Sequence, residues 1–180
     1  MMSFTVDRPD ETEYAPYFGR YVSLVPGGDI LESLGRQSDE TLALLRGIAE
    51  PQASYRYAPG KWSIKELVGH MIDSERIFAY RALCFARNDK SPLTGYDQDQ
   101  YNDNASFDDY PLSELASEFE HVRRASILLF KHLDAEAWQR RGTANDSEVS
   151  VRALVHIIAG HELHHVGVLR KLYLPGIETS

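Results

Sequence analysis

Apolar residues recur three or four positions apart in four stretches of the chain, a spacing that predicts four amphipathic helices. In the first, over about 29–48, Ile30, Leu31, Leu34, Leu42, Leu45 and Ile48 fall on helical spacing, interrupted by Gly35 and followed by a stop at Pro51. The second has the clearest start. Ser63 and Glu66 form an S-x-x-E capping box, and Trp62 and Leu67 flank it as a hydrophobic staple. It runs to about Ala86, with Leu67, Met71, Phe78, Ala82 and Phe85 on one face. Pro111 suits the first turn of the third, whose seam reads Leu112, Leu115, Phe119, Val122, Ser126, Leu129 and Leu133. The fourth follows Ser150, an N-cap residue type, and runs to about Tyr173, where Leu174-Pro175-Gly176 predicts its end.

The segments between these helices are polar. Residues 88–110 are rich in Asp and Asn and too long for a tight turn, so they read as a crossover or a functional loop. Residues 1–26 carry Pro9, Pro16 and Pro26 and read as an irregular arm. No strand pattern and no internal repeat stand out. Four helices with one long connection between the second and third predict an all-α, four-helix bundle filling residues 1–180 as one domain.

Composition narrows the class of function. The chain has 180 residues, 43% of them hydrophobic and 26% charged, a globular balance. Its net charge of −8, with no run of more than two Lys or Arg, argues against nucleic acid and anionic membranes as partners. No apolar stretch approaches the roughly 20 residues of a membrane span, and the N-terminus lacks a signal-peptide pattern. Cys84 is the single cysteine, as expected in a reducing compartment. A cytoplasmic location is expected.

The candidate chemistry lies in the histidines. Four of the seven crowd the last helix, in H-I-I-A-G-H-E-L-H-H. With His161 set at zero and about 100° per residue, Leu154 and Leu172 point to about 20°, Ile158 to about 60° and Val168 to about −20°. His165, at about 40°, therefore shares the apolar stripe with His161, while His164 is turned aside and His156 faces nearly the opposite way. Two inward imidazoles one turn apart are costly to bury unless something satisfies them. Either a divalent metal takes both ring nitrogens or neighbouring helices hydrogen-bond them. H-E-L-H-H also fits the zinc-protease expression H-E-x-x-H, but that class takes a third ligand downstream, where only Glu178 is available. His70 of the second helix is a candidate third ligand from elsewhere in the bundle, beside Gly69, which permits close approach. His121 and His132 flank the third seam as solvated or capping residues.

Two motifs carry a family resemblance. W-S-x-K-E-x-x-x-H (62–70) and G-H-E-x-H-H (160–165) resemble the DinB-like (YfiT-like) superfamily of metal-binding four-helix bundles, over most of the chain from the first helix to Tyr173. The resemblance implies a divalent ion, zinc or nickel, held by His70, His161 and His165. It also implies an up-down-down-up course and a homodimer.

Three histidines leave a coordination position open, which suits catalysis more than structure. Such a site can lower the pKa of a water for hydrolysis or bind a thiolate as a nucleophile. By resemblance, transfer of a low-molecular-weight thiol, such as bacillithiol or mycothiol, to a small electrophilic substrate is expected first. Hydrolysis of a small substrate comes second, and a non-catalytic bundle that binds metal or ligand third. Glu162 is a candidate base and Arg81 a candidate partner for an anionic group. Asp73 and Glu75 are placed to orient a ligand imidazole, Tyr96 and Tyr101 to wall the site, and Cys84 to pack inertly.

Overall fold

A computed structural model describes residues 6–177. The four expected helices are α2 (Ile30–Arg46), α3 (Ile64–Ala86), α5 (Leu112–Lys131) and α7 (Val151–Val168). Short helices α1 (Gly19–Val22), α4 (Gln98–Asp103), α6 (Ala135–Gln139) and α8 (Leu174–Ile177) and a hairpin, β1 (Arg141–Ala144) and β2 (Ser147–Ser150), fill the connections. The starts follow the sequence closely. Ser63 Oγ accepts from Glu66 N–H (3.0 Å) while Glu66 accepts from Ser63 N–H (2.6 Å), so each satisfies an orphan donor of α3. Ser150 Oγ accepts from Ala153 N–H (3.0 Å) at the head of α7.

The course of the chain can be traced from its end contacts. Glu50, just past α2, pairs with Lys65 at the start of α3 (2.7 Å) and accepts from Leu112 N–H at the start of α5 (2.9 Å). The starts of α3 and α5 therefore lie together, and the two helices run parallel. Gln52 donates to Ile177 O (2.9 Å), which puts the end of α2 beside the end of the α7–α8 run. This is the expected up-down-down-up four-helix bundle. Both α2 and α3 pack on α5 and α7, so α2 and α3 lie diagonally opposite. With 23 residues, α3 rises roughly 35 Å, and the chain must return that distance before α5 can start beside it. That return explains the length of the 88–110 connection.

Two apolar clusters make up the core. One gathers Phe78, Phe85, Phe130, Trp138, Leu154 and Ile158, the other Leu42, Leu67, Met71, Leu115, Phe119 and Tyr173. Between them, polar side chains from all four long helices form a layer containing Thr41, Glu75, Arg123, His161 and Glu162, all buried. This layer positions the site.

Several expectations are corrected. The seam of α5 holds at Leu112, Leu115, Phe119 and Ser126 but shifts by one residue elsewhere: Arg123 and Phe130 are fully buried, whereas Val122, Leu129 and Leu133 are only partly so. Pro111 is the N-cap, with extended ψ of 138°, rather than a first-turn residue. A hairpin exists where no strand was expected. Its signal is the pair Asn145-Asp146, both at positive φ (51° and 57°), which turns a ladder of mostly small and polar residues. The final helix passes Tyr173 through a π-turn over Leu169–Tyr173 and continues to Ile177, the last described residue. The wider turn shifts the backbone hydrogen bonding, so Pro175 falls in a new first turn where no N–H is required of it. Residues 6–26 of the arm form short turns and α1, which packs on α7. The 88–110 connection holds α4 and clips to the hairpin through Leu93 N–H to Thr143 O (2.9 Å). No helix among the described residues is long and apolar enough to cross a membrane.

Candidate metal centre

His70 projects from the second turn of α3, and His161 and His165 from successive turns of α7, the helix packed against it. His161 Nε2 lies 3.1 Å from His70 Nε2 and 3.0 Å from His165 Nε2, and one nitrogen of each ring falls within 4.8 Å of the others. Burial drives all three rings towards the neutral form, and the neighbouring imidazoles reinforce it. His70 is brought down to about 4, His165 to about 2 and His161 well below the ordinary histidine value. Trp62 packs on His70 (4.8 Å between ring centroids) and Tyr21 stands edge-on to His161 (5.3 Å).

Hydrogen bonding among the rings alone does not satisfy this cluster. A neutral imidazole nitrogen either carries one proton or offers one lone pair. His161 Nε2 can therefore make one full hydrogen bond with one of its two neighbours, and the other contact is left to share the same single proton or lone pair. His165 Nδ1 is buried without a partner. A cation accepting three lone pairs resolves the conflict. Zinc–imidazole bonds of about 2.0–2.1 Å with tetrahedral angles put ligand nitrogens roughly 3.3 Å apart, close to the 3.0 and 3.1 Å observed for two of the three pairs, with the third inside 4.8 Å. The three residues thus fit a divalent ion.

Around the rings the structure sorts the remaining candidates. Glu162 is buried with both carboxylate oxygens engaged. Oε1 accepts from Thr41 (2.7 Å) and Oε2 from Arg123 (2.6 Å), so the carboxylate is not free to act as a base. Burial raises its pKa, and Arg123 and Thr41 oppose that rise. Glu75 takes the rest of the Arg123 guanidinium as a two-pronged pair (2.9 and 2.8 Å), and Asp73 faces Arg76 (3.8 Å). Neither holds an imidazole. The group beside His70 Nδ1 is instead Ser74 Oγ (3.5 Å), which is hydrogen-bonded to Tyr96 OH (2.7 Å). Arg123, absent from the sequence-based candidates, is the hub of the polar layer. It also donates to Leu34 O (3.1 Å) and so ties α2, α3, α5 and α7 together.

The remaining histidines stand apart. His156 is buried with Nδ1 bonded to Arg152 O (2.9 Å), and His121 and His132 are exposed. His164 leans against Tyr21 and His165. Gly69 accommodates the Phe107 ring from the connection rather than a second helix. Cys84 packs, half-buried, against the first apolar cluster, and Glu178 lies outside the described residues.

A cavity of about 620 Å³ opens onto His161. Tyr17, Phe18, Phe78 and Leu154 wall it, and Arg81 and Tyr96 are the polar side chains beside them. Tyr96 belongs to the 88–110 connection, so that segment does wall the site, while Tyr101 packs edge-on behind Tyr96 (5.3 Å).

The DinB superfamily profile matches residues 33–169. An Oceanobacillus iheyensis protein named a "putative metal-dependent hydrolase" is 25% identical over 128 residues, covering 70% of this chain and 73% of that protein. Among solved structures, Bacillus subtilis YfiT, described as "a probable metal-dependent hydrolase with an unusual four-helix bundle topology", superposes with a TM-score of 0.69. It is 14% identical, over 92% of this chain and 91% of YfiT. A mycothiol-dependent maleylpyruvate isomerase superposes with a TM-score of 0.62 at 13% identity, over 81% of this chain and 61% of the isomerase. These two structural likenesses speak to the fold.

Proposed function

Since this chain belongs to the DinB superfamily, we propose that His70, His161 and His165 together hold one divalent ion and that the protein is a metal-dependent enzyme acting on a small molecule in the adjoining cavity. The observation that carries this reading is the convergence of three imidazoles, two buried and one half-buried, whose nitrogens cannot all satisfy one another. An ion there supplies Lewis acidity, polarising an electrophile and lowering the pKa of a thiol or a water. The protein's own residues do the positioning. Ser74 and Tyr96 steady His70, the Glu162–Arg123 pair holds α7 in register beneath His161, and Tyr21, Phe18 and Phe78 keep the approach dry.

Transfer of a small thiol to an electrophile is the reaction we favour. Hydrolysis of the H-E-x-x-H kind needs a free carboxylate base, and both oxygens of Glu162 are committed to Thr41 and Arg123. A thiol needs no such base once its pKa is lowered. Hydrolysis is the second reading, supported by the names of the Oceanobacillus relative and of YfiT.

Metal content by mass spectrometry on untagged protein tests the centre. The expected result is about one ion per chain, lost in both His161→Ala and His165→Ala. No ion after reconstitution with zinc, nickel and manganese overturns the enzyme reading. Turnover of an electrophile only when a thiol is added favours transfer, turnover of an ester or amide without thiol favours hydrolysis, and neither despite a bound ion leaves a binding protein.

A further inference from the structure

Arg81 carries a largely buried charge that, among the described residues, is met only by the Phe78 ring (5.9 Å from guanidinium carbon to centroid) and a backbone carbonyl. Its residue is only 6% exposed, and among the described residues no carboxylate lies within ion-pairing distance. One guanidinium nitrogen donates to Thr94 O (2.9 Å), and the side chain lines the cavity that opens onto His161. Two acids, Asp97 and Glu148, line the same cavity, but both are engaged. Asp97 accepts from Asp99 N–H (3.0 Å) and Gln100 N–H (3.1 Å) at the head of α4, and Glu148 pairs with Arg141 (2.8 Å). Burying a guanidinium without an anion is costly, and here burial already depresses its pKa.

Resting on the metal-centre reading, we propose that Arg81 is a specificity-determining residue that seats a carboxylate of the small molecule bound in this cavity. The planar guanidinium fork matches a planar carboxylate. Asp97, which lines the same cavity, repels a doubly charged group such as a phosphate monoester more than a singly charged carboxylate. The aromatic and aliphatic walls, Tyr17, Phe18, Phe78 and Leu154, take the apolar body of the ligand and place it between Arg81 and His161. The cavity therefore selects a monocarboxylate with an apolar body. Whether the carboxylate belongs to the electrophile or to a thiol cosubstrate, the recognition is the same.

Calorimetric titration with 3-phenylpropanoate and its neutral analogue 3-phenylpropanamide tests this on metal-loaded and chelator-treated protein. The acid is expected to bind about tenfold or more tightly than the amide in both forms. The preference is expected to vanish in Arg81→Met and to survive in part in Arg81→Lys. Arg81→Gln, which keeps a donor for Thr94 O without the charge, carries the test if Arg81→Met does not fold. Equal binding of acid and amide, no binding of either, or a preference undiminished without the charge overturns the proposal. A preference that survives Arg81→Met but disappears with the chelator places the carboxylate on the metal, so the metal centre stands and this assignment falls. An Arg81-dependent preference in protein that never binds an ion does the reverse. Repeating the titration with 3-mercaptopropanoate beside 3-mercaptopropanamide, then with either phenyl probe present, distinguishes the two sources. Competition for one Arg81-dependent seat assigns it to both, and additive binding that ignores Arg81 for the thiol acid assigns it to the electrophile.

Discussion

Arg123 shows how much one side chain can decide. It is 1% exposed, and its guanidinium is divided among Glu75, Glu162 and the Leu34 carbonyl. Burial lowers its pKa, but the two carboxylates outweigh that and raise it above the ordinary arginine value. Removing it strands two carboxylates in the core. Arg123→Met is therefore expected to cost about 3–5 kcal/mol in urea unfolding, while adding Glu75→Gln and Glu162→Gln should recover much of that loss. A triple variant no more stable than the single would show that the charges are not the source of the cost. None of this was legible beforehand. Arg123 and Arg124 are adjacent in sequence, and only the packing of α5 turns the first inward and leaves the second exposed. By contrast His161 and His165 were legible, because their i, i+4 spacing on an apolar stripe was already unusual.

The element that matters most is α7, which carries two of the three imidazoles and receives the N-terminal arm. A Cβ at Gly160, one residue before His161, would meet the backbone carbonyl of Tyr21 in α1. That glycine lets the arm lie against the helix and bring Tyr21 to the His161 ring. Gly167, in the same helix, has nothing within 4 Å of the equivalent position. Gly167→Ala is thus expected to stabilise by about 0.5–1 kcal/mol through helix propensity. Gly160→Ala should destabilise by about 1–3 kcal/mol through overpacking. Thermal melts of the two variants compare them directly, and equal effects would mean that the arm does not dock as described. The helix itself was clear from its periodicity, but this docking could not be. An arm without repeating pattern gives no sign of the face it will cover. The hairpin was hidden for a related reason, since its short, mostly polar strands take their order from the Asn145-Asp146 turn and from Leu93 beside it.

The bundle as a whole is two apolar halves separated by a layer that is costly to bury. Three crowded imidazoles in that layer favour opening unless a ligand binds them, so ion binding should appear as stability. At an ion concentration of about 100 times Kd the gain is roughly 2.7 kcal/mol, or about 5–10 °C in Tm for a chain of this size. Chelation is expected to remove that increment from the parent protein and to leave the melting of His165→Ala unchanged. An equal drop in both would place the ion elsewhere.

Four long helices, the capped starts of α3 and α7, the bundle and the two inward histidines of α7 can all be read from the amino-acid sequence. These depend on the spacing of residues close in the chain, which local geometry converts directly into a helix face. The partnership of His70 with that pair, the commitment of Glu162 to Arg123, the hairpin and the cavity beside Arg81 were decided only by the tertiary structure. Each depends on side chains tens of residues apart, and only the packing of the helices determines which of them meet and what they satisfy.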